Sequence, residues 1–280
     1  IGYEAYDNSD TEDDNLAIGY RAMTVDTAGG TANIAIGNYA GDAITSADNN
    51  VFVGYNAGTA TNSGGSNVAV GHEALKTNTD GINSTAVGRL ALQANTTGQE
   101  NVAIGMQSLQ ANTTGSQNTA VGNYALFTNT GAAGNTAVGE RALRLNTTGA
   151  SLTAVGRYAL TANTTANNSC AFGHEALAYN TTGESNVAVG KSALYTNVTT
   201  HGNTAIGHQA LKLNIAANNV ALGYNAMVAN TTGTRNVAIG FEALDASDTE
   251  SDNLAIGFSA MTVANGGAEK NVAIGNYAGD

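Results

Sequence analysis

Two freely varying residues follow each member of a regular series of glycines, and much of the chain's chemical diversity sits in these pairs. They hold Tyr20, Tyr39, Tyr55, His72, Arg89, Tyr124, Arg141, Tyr158, His174, Lys191, His208 and Tyr224. Lined up, such residues would make a stripe of aromatic, cationic and amide groups. Groups of that kind suit a surface that binds glycans or a partner protein. The same variability also fits a tolerant solvent face, or lateral packing between chains. The stripe is therefore a partner-binding candidate with two plain competitors.

Other chemistry is thinner. His72, His174 and His208 lie coils apart, and His201 falls in a polar turn, so no short metal-ligand spacing arises. No nucleophile–base constellation stands out. The expectation is no enzyme, no cofactor and no metal. One acidic cluster holds Asp7, Asp10, Glu12, Asp13 and Asp14, and another holds Asp245, Asp248, Glu250 and Asp252. Carboxylate oxygens attract Ca²⁺, but neither cluster has EF-hand spacing, and a solvated loop is the favoured reading. Sequons recur at Asn95, Asn112, Asn146, Asn163, Asn180, Asn197 and Asn230. They could carry glycans in a eukaryotic secretory setting, yet turn chemistry accounts for them as well. Adjacent threonines in these turns should point different ways, which argues against a flat ice-binding lattice. The lone Cys170 excludes an intrachain disulfide. It shares a column with Val68, Val102 and Val187, so a small buried side chain is expected, with an interchain bridge as the alternative.

Composition narrows the class further. The net charge of −12 opposes binding to nucleic acid, which needs clustered Lys and Arg. No run of eighteen apolar residues is present, so no membrane-inserting helix is expected. Charged residues are only 11% of the chain, and Asn, Thr, Ser and Gly must cover the exterior instead. Such a surface leans toward an extracellular, cell-surface or virion location.

The elements that would position the stripe are set by the glycines themselves. They fall at Gly2, Gly19, Gly37, Gly54, Gly71 and onward to Gly275, with a spacing of 17 that becomes 18 or 16 at three places. A short period over the whole length implies stacked units rather than a globular domain. The expected fold is an all-β parallel β-solenoid of about sixteen 17-residue coils, with room for single helical turns. Residues 1–280 form one repeat array, and residues 1–42 match 239–280 at 29 of 42 positions, so the array reads as a piece of a longer one.

Each repeat runs Asn–(Val/Thr)–Ala–(Val/Ile)–Gly, then the variable pair, then Ala–Leu, then a turn such as Asn–Thr–Thr–Gly. β-Branched residues flanking a small one favour a short strand. The central column is Ala in 15 of 16 motifs, Phe52 being the exception. That constancy implies a second backbone packed against it, either the return segment of the same coil or another chain. The large flanking residues are expected to be buried too, giving close packing on both strand faces. The Asn that opens each strand would stack into an amide ladder. The repeat glycine would supply φ > 0 or close approach. Ala–Leu reads as one helical turn or a second short strand, and the pattern leaves both open. Gly41, Gly58 and Gly279 replace the usual Leu, implying a smaller core, a bend or a lateral contact there.

The motifs Asn67–Val68–Ala69–Val70–Gly71 and Asn101–Val102–Ala103–Ile104–Gly105 resemble the head repeats of YadA-like trimeric autotransporter adhesins. The longer 17-residue unit, with its added Ala–Leu segment, is similar to repeats of phage and viral tail-fibre-like proteins. The resemblance covers nearly the whole chain. It implies a trimer of parallel β-rolls and a role in reach, display or adhesion. The thinness of one coil independently favours self-association, as a homotrimer or filament. The functional expectation is a structural extracellular fibre or adhesin shaft. The alternative is a glycan- or receptor-binding module that uses the variable pair.

Overall fold

The computed structural model describes residues 1–7, 14–25, 29–246, 249–262 and 269–279. The chain packs into two units, residues 1–141 and 142–280. The first holds strands β1 (Leu16–Ile18), β2 (Ile34–Ile36), β3 (Val51–Val53), β4 (Val68–Val70), β5 (Thr85–Val87), β6 (Val102–Ile104), β7 (Thr119–Val121) and β8 (Thr136–Val138). The second holds β9 (Thr153–Val155), β10 (Cys170–Phe172), β11 (Val187–Val189), β12 (Thr204–Ile206), β13 (Val220–Leu222), β14 (Val237–Ile239), β15 (Leu254–Ile256) and β16 (Val272–Ile274). Within each unit every strand pairs in parallel with the next in sequence, Ala opposite Ala wherever both have it. Each unit is thus a parallel β-solenoid, one strand per coil. No helix occurs among the described residues.

Three-residue strands leave no choice about faces, because successive side chains alternate. The central residue points inward: Ala69, Ala103, Ala171 and Ala205 are fully buried. The flanking residues therefore point outward, and here the structure corrects the expectation of burial on both faces. Val70 is 36% exposed, Ile104 40% and Phe172 53%. Cys170 moves with this face. It stands between Thr153 and Val187 in the outer column and is half-buried, not buried.

The inner Ala column packs against the return segment of the same coil, one of the two alternatives left open. Phe52 demonstrates this directly. A Cβ added at Gly58 would lie 2.6 Å from the Phe52 ring, and one at Gly41 would lie 3.1 Å from it. Gly41 and Gly58 stand where other coils have Leu, and Phe52 stands where other coils have Ala. At Gly58 one large side chain from the strand replaces the usual Leu, and at Gly41 the buried Ile44, whose Cδ1 would lie 2.9 Å from an added Cβ, shares the space with Phe52. Core packing, rather than a bend or lateral contact, accounts for both glycines. At the same position Leu75, Leu92, Leu109 and Leu126 in one unit, and Leu160, Leu177 and Leu194 in the other, are fully buried.

The Ala–Leu segment is neither a helical turn nor a strand. Ala74 N–H donates to Gly71 O at 3.3 Å and Asn78 N–H to Leu75 O at 3.4 Å, giving two consecutive turns. Between them Leu75 N–H donates to Ala91 O and Thr77 N–H to Gln93 O, both one coil away. Glu73 and Leu75 have φ of 54° and 52°, and Asn83 at the next corner has 56°. The same three positions recur in coil after coil. A left-handed L-residue costs roughly 1–2 kcal/mol, so helix propensity is overridden by the bonds to the next coil. The repeat glycine meets both expected demands. Gly71 has φ of 141°, and a Cβ there would lie 2.5 Å from Gly88 O.

Two buried amide ladders run along the interior, where one was expected. In the first, the side-chain oxygen of each strand-opening Asn accepts the backbone N–H one coil on, as in Asn67 N–H to Asn50 Oδ1 at 2.9 Å. Ser84 and Ser169 continue it, since their Oγ atoms accept from Asn101 and Asn186, while Leu152, in the same column, has no side-chain acceptor and interrupts it. The second joins the turn asparagines side chain to side chain, as in Asn95 to Asn78 at 2.8 Å and Asn112 to Asn95 at 2.9 Å. Both converge on one carbonyl per coil: Asn101 and Asn112 donate to Gly115 O at 2.8 and 2.9 Å. A buried amide is tolerated only when it is satisfied in this way.

The Phe52 exchange is testable by thermal unfolding. Phe52→Ala alone should cost about 3–5 kcal/mol through the cavity it leaves. Gly58→Leu alone should also destabilise, by driving a side chain into the ring. Combining Phe52→Ala with Gly58→Leu returns the usual Ala and Leu to that coil and should recover most of the loss, because Gly58 already has φ of 59°. A double variant no more stable than Phe52→Ala would contradict this packing.

Candidate functional site: the edge after the repeat glycine

The variable pair emerges where the strand ends, and the backbone stacks its first residue into a column. The carbonyl of that residue accepts the N–H of the second residue one coil on. In residues 142–280 these bonds run Glu175 N–H to Arg157 O at 3.0 Å, Ser192 to His174 at 2.9 Å, Gln209 to Lys191 at 3.0 Å and Asn225 to His208 at 3.0 Å. They continue through Tyr224, Phe241 and Phe258. The second residue of the pair has positive φ, for example Tyr124 at 59° and Tyr158 at 60°. The two positions therefore differ in kind, a distinction the sequence pattern did not make.

In residues 1–141 the column holds Tyr3, Tyr20, Tyr55 and His72, while Tyr39, a second residue of its pair with φ of 60°, bridges Tyr20 and Tyr55 edge-on. Tyr3 stacks on Tyr20 at 5.6 Å, and Tyr55 on His72 at 5.3 Å, with edge-on contacts between. Arg89 follows one coil beyond His72, since Leu90 N–H donates to His72 O. Tyr124 stands apart from this run. It meets Phe127 edge-on at 5.6 Å, with the Arg141 guanidinium 5.9 Å from its ring centre. Beside the column, Lys76 Nζ donates to Glu73 Oε1 at 2.9 Å and holds that carboxyl below its usual range.

In residues 142–280 the column opens with four basic side chains, Arg157, His174, Lys191 and His208. Arg157 lies over the Tyr158 ring at 4.5 Å, and Tyr158 meets His174 edge-on at 6.4 Å. His174 Nδ1 stands 3.5 Å from Glu175 Oε2. His208 then stacks on Tyr224 at 5.0 Å, Tyr224 on Phe241 at 5.2 Å and Phe241 on Phe258 at 5.0 Å, with ring planes within 10°. Phe241 and Phe258 escaped the sequence reading, which followed Tyr, His and the charged residues. The offset of 238 would have found them, since they correspond to Tyr3 and Tyr20.

Stacking ring on ring settles what these aromatics present. Where the rings lie parallel, as from His208 to Phe258, their faces cover one another and their edges meet solvent. On such a run sugar faces could stack only at the ends. The basic part differs. Its two side chains charged at pH 7, Arg157 and Lys191, stand two coils apart with His174 between them. An ion pair in the same unit does cross coils. Arg235 donates to both carboxylate oxygens of Asp252, at 2.6 and 2.8 Å, and holds that carboxyl below its usual range.

Several other candidates are also placed. The sequon asparagines Asn95, Asn112, Asn146, Asn163, Asn180, Asn197 and Asn230 are fully buried in the turn ladder, so the folded coil offers them to no transferase. Thr96 is half-buried and donates its hydroxyl to Thr113 O at 3.0 Å, while Thr97 is exposed, so paired threonines do point different ways. His201 lies in an open depression with Thr182, Glu184, Ser185 and Gly202. Of the acidic clusters, Asp10, Glu12, Asp13 and Asp248 lie outside the described residues. Among the described residues no three His, Cys, Asp or Glu side chains gather as a metal set, and no helix is long and apolar enough to cross a membrane.

No protein-family model matches the chain, and no curated protein matches it.

The ring stack predicts a measurable coupling. In a double-mutant cycle on Tyr224→Ala and Phe241→Ala, the interaction should be about 0.5–1.5 kcal/mol in favour of the pair. Strictly additive losses would mean that the rings merely lie near each other.

Proposed function

We propose that the chain is a non-enzymatic structural element of an extracellular fibre or adhesin shaft, at a cell or virion surface, and that it works as a side-by-side homotrimer. The observation that carries this reading is the outer strand face. Val70 and Ile104 in one unit, and Phe172, Ile206 and Leu222 in the other, are each between 36% and 53% exposed. They share one strand position, one or two coils apart with half-buried Val87 and Val189 between, so the apolar surface is a strip and not scattered residues. A strip of that kind is complementary to the same strip on another copy. The likeness of the strand motif to trimeric adhesin head repeats supports the same reading, as does an exterior with few charges.

Mass in solution tests the assembly. Sedimentation should give about three times the 28.1 kDa chain mass. Ile104→Lys together with Ile206→Lys should shift the protein toward monomer, because each places a charge in the strip. A wild-type monomer with intact β-structure by circular dichroism would sink the trimer.

A second reading is favoured by the exposed variable edge: a glycan- or receptor-binding module. Tyr55 and Tyr224 remain 45% and 46% exposed despite their stacking. On this reading, glycan-array binding should fall when Tyr124, Tyr158 and Tyr224 are replaced by Ser. Binding that survives all three replacements would count against the edge.

A further inference from the structure

We propose that Tyr3 and Tyr20 are an oxidative cross-linking site, at which a peroxide-driven oxidant joins the two rings by a carbon–carbon bond and fastens successive coils. The first observation is contact. Arg21 N–H donates to Tyr3 O at 3.0 Å, which sets the two tyrosines one coil apart in the column. Their rings lie face to face, 5.6 Å between centres and 7° between planes. Both remain open to a small oxidant, Tyr3 at 68% and Tyr20 at 39% exposure. The contacts of Tyr39 with Tyr20 and Tyr55, and of Tyr179 with Tyr195, are edge-on instead.

The second observation is a comparison inside the chain. Phe241 and Phe258 stand in residues 239–280 where residues 1–42 have Tyr3 and Tyr20. Those rings stack at 5.0 Å and 5°, so packing does not need the hydroxyls. What the hydroxyls add is a hydrogen that a one-electron oxidant can remove. The third is a base. The Glu4 carboxylate, 3.4 Å from Arg21, hydrogen-bonds the Tyr3 hydroxyl and holds that phenol above its usual pKa. It is placed to take the proton as the electron leaves.

The chemistry balances with hydrogen peroxide as the oxidant. Each phenol gives up one electron and one proton and becomes a phenoxyl radical, whose spin is shared with the ring carbons ortho to the oxygen. One such carbon from each ring bonds to the other, their hydrogens pass to the oxygens, and both phenols are restored. One peroxide takes up the two electrons and two protons and leaves as two waters. The new bond closes a loop between residues 3 and 20 and constrains the unfolded chain as a disulfide would. Cys170, being the single cysteine, supplies no intrachain disulfide for that purpose.

The test treats the 280-residue chain with a haem peroxidase and limiting hydrogen peroxide. Product that still runs as one chain under denaturing conditions should lose two hydrogen atoms and show dityrosine fluorescence. Proteolysis should then yield a peptide pair joined through Tyr3 and Tyr20. This product should unfold at a higher temperature than untreated chain, and a thiol reductant should not reverse the shift. Tyr3→Phe with Tyr20→Phe keeps the stack, as Phe241 and Phe258 do, so its melting should match untreated wild type while the fluorescence and the mass change are lost. The inference is overturned if no bond forms within one chain, if the bond forms at Tyr179 and Tyr195 instead, or if the double Phe variant gives as much product as wild type.

Discussion

Each coil hydrogen-bonds through its backbone to the next coil at the same positions, and every other feature is subordinate to that registry. The bonds run through the strand and also through the turns, as at Leu75, Thr77 and Thr79, whose N–H groups donate to the following coil. A coil that is to stack in this way must repeat the path of its neighbour. Hence the repeat glycine, where any Cβ would collide with the next carbonyl, and hence the left-handed Leu and Glu that an isolated peptide would avoid. The strain is held in place because the surrounding bonds over-determine it. Interior side chains then face their counterparts in adjacent coils, and only groups that stack on themselves fit: Ala on Ala, Leu on Leu, amide on amide.

Much of this was legible in the sequence, for one reason: a strict period exposes which positions are constrained. The parallel stack, the close packing of a second backbone on the Ala column, and the strand-opening Asn ladder all follow from columns dominated by one residue type, although the pattern left open whether that backbone was the return segment or another chain. What failed to follow was anything that needs the cross-section of a coil. Alternation says that Ala and its Val or Ile neighbours face opposite ways, but not which way is in. Hydrophobicity points to Val70 and Ile104, and the structure puts Ala69 and Ala103 inside instead, because a coil this thin has room for nothing larger opposite Leu75 or Leu109. Phe52 with Gly41 and Gly58 is the exception that measures that room. The Ala–Leu segment was misleading for a related reason: its helix formers record a demand for compact side chains in the core, and say nothing of φ at Leu75.

The edge after the glycine was legible as diversity and not as chemistry. Nothing in its residue types says that rings will cover each other's faces, which turns a supposed sugar platform into a self-contained stack. Nor does the sequence separate the first residue of each pair from the second. The same lattice that fixes the core gives this edge its order, so residues far apart in sequence, such as Arg157 and His208, become terms of one series.

The turn ladder also has a direction. The amide of Asn95 donates to Asn78, that of Asn112 to Asn95, and that of Asn163 to Asn146, always from the later coil to the earlier. Amide dipoles joined head to tail polarise one another. In this ladder the two faces of a coil are therefore unequal, one offering donors and the other acceptors. A chain made from its N-terminus lays each new donor on an acceptor already in place. For these side chains the direction from acceptor to donor is also the direction from N-terminus to C-terminus.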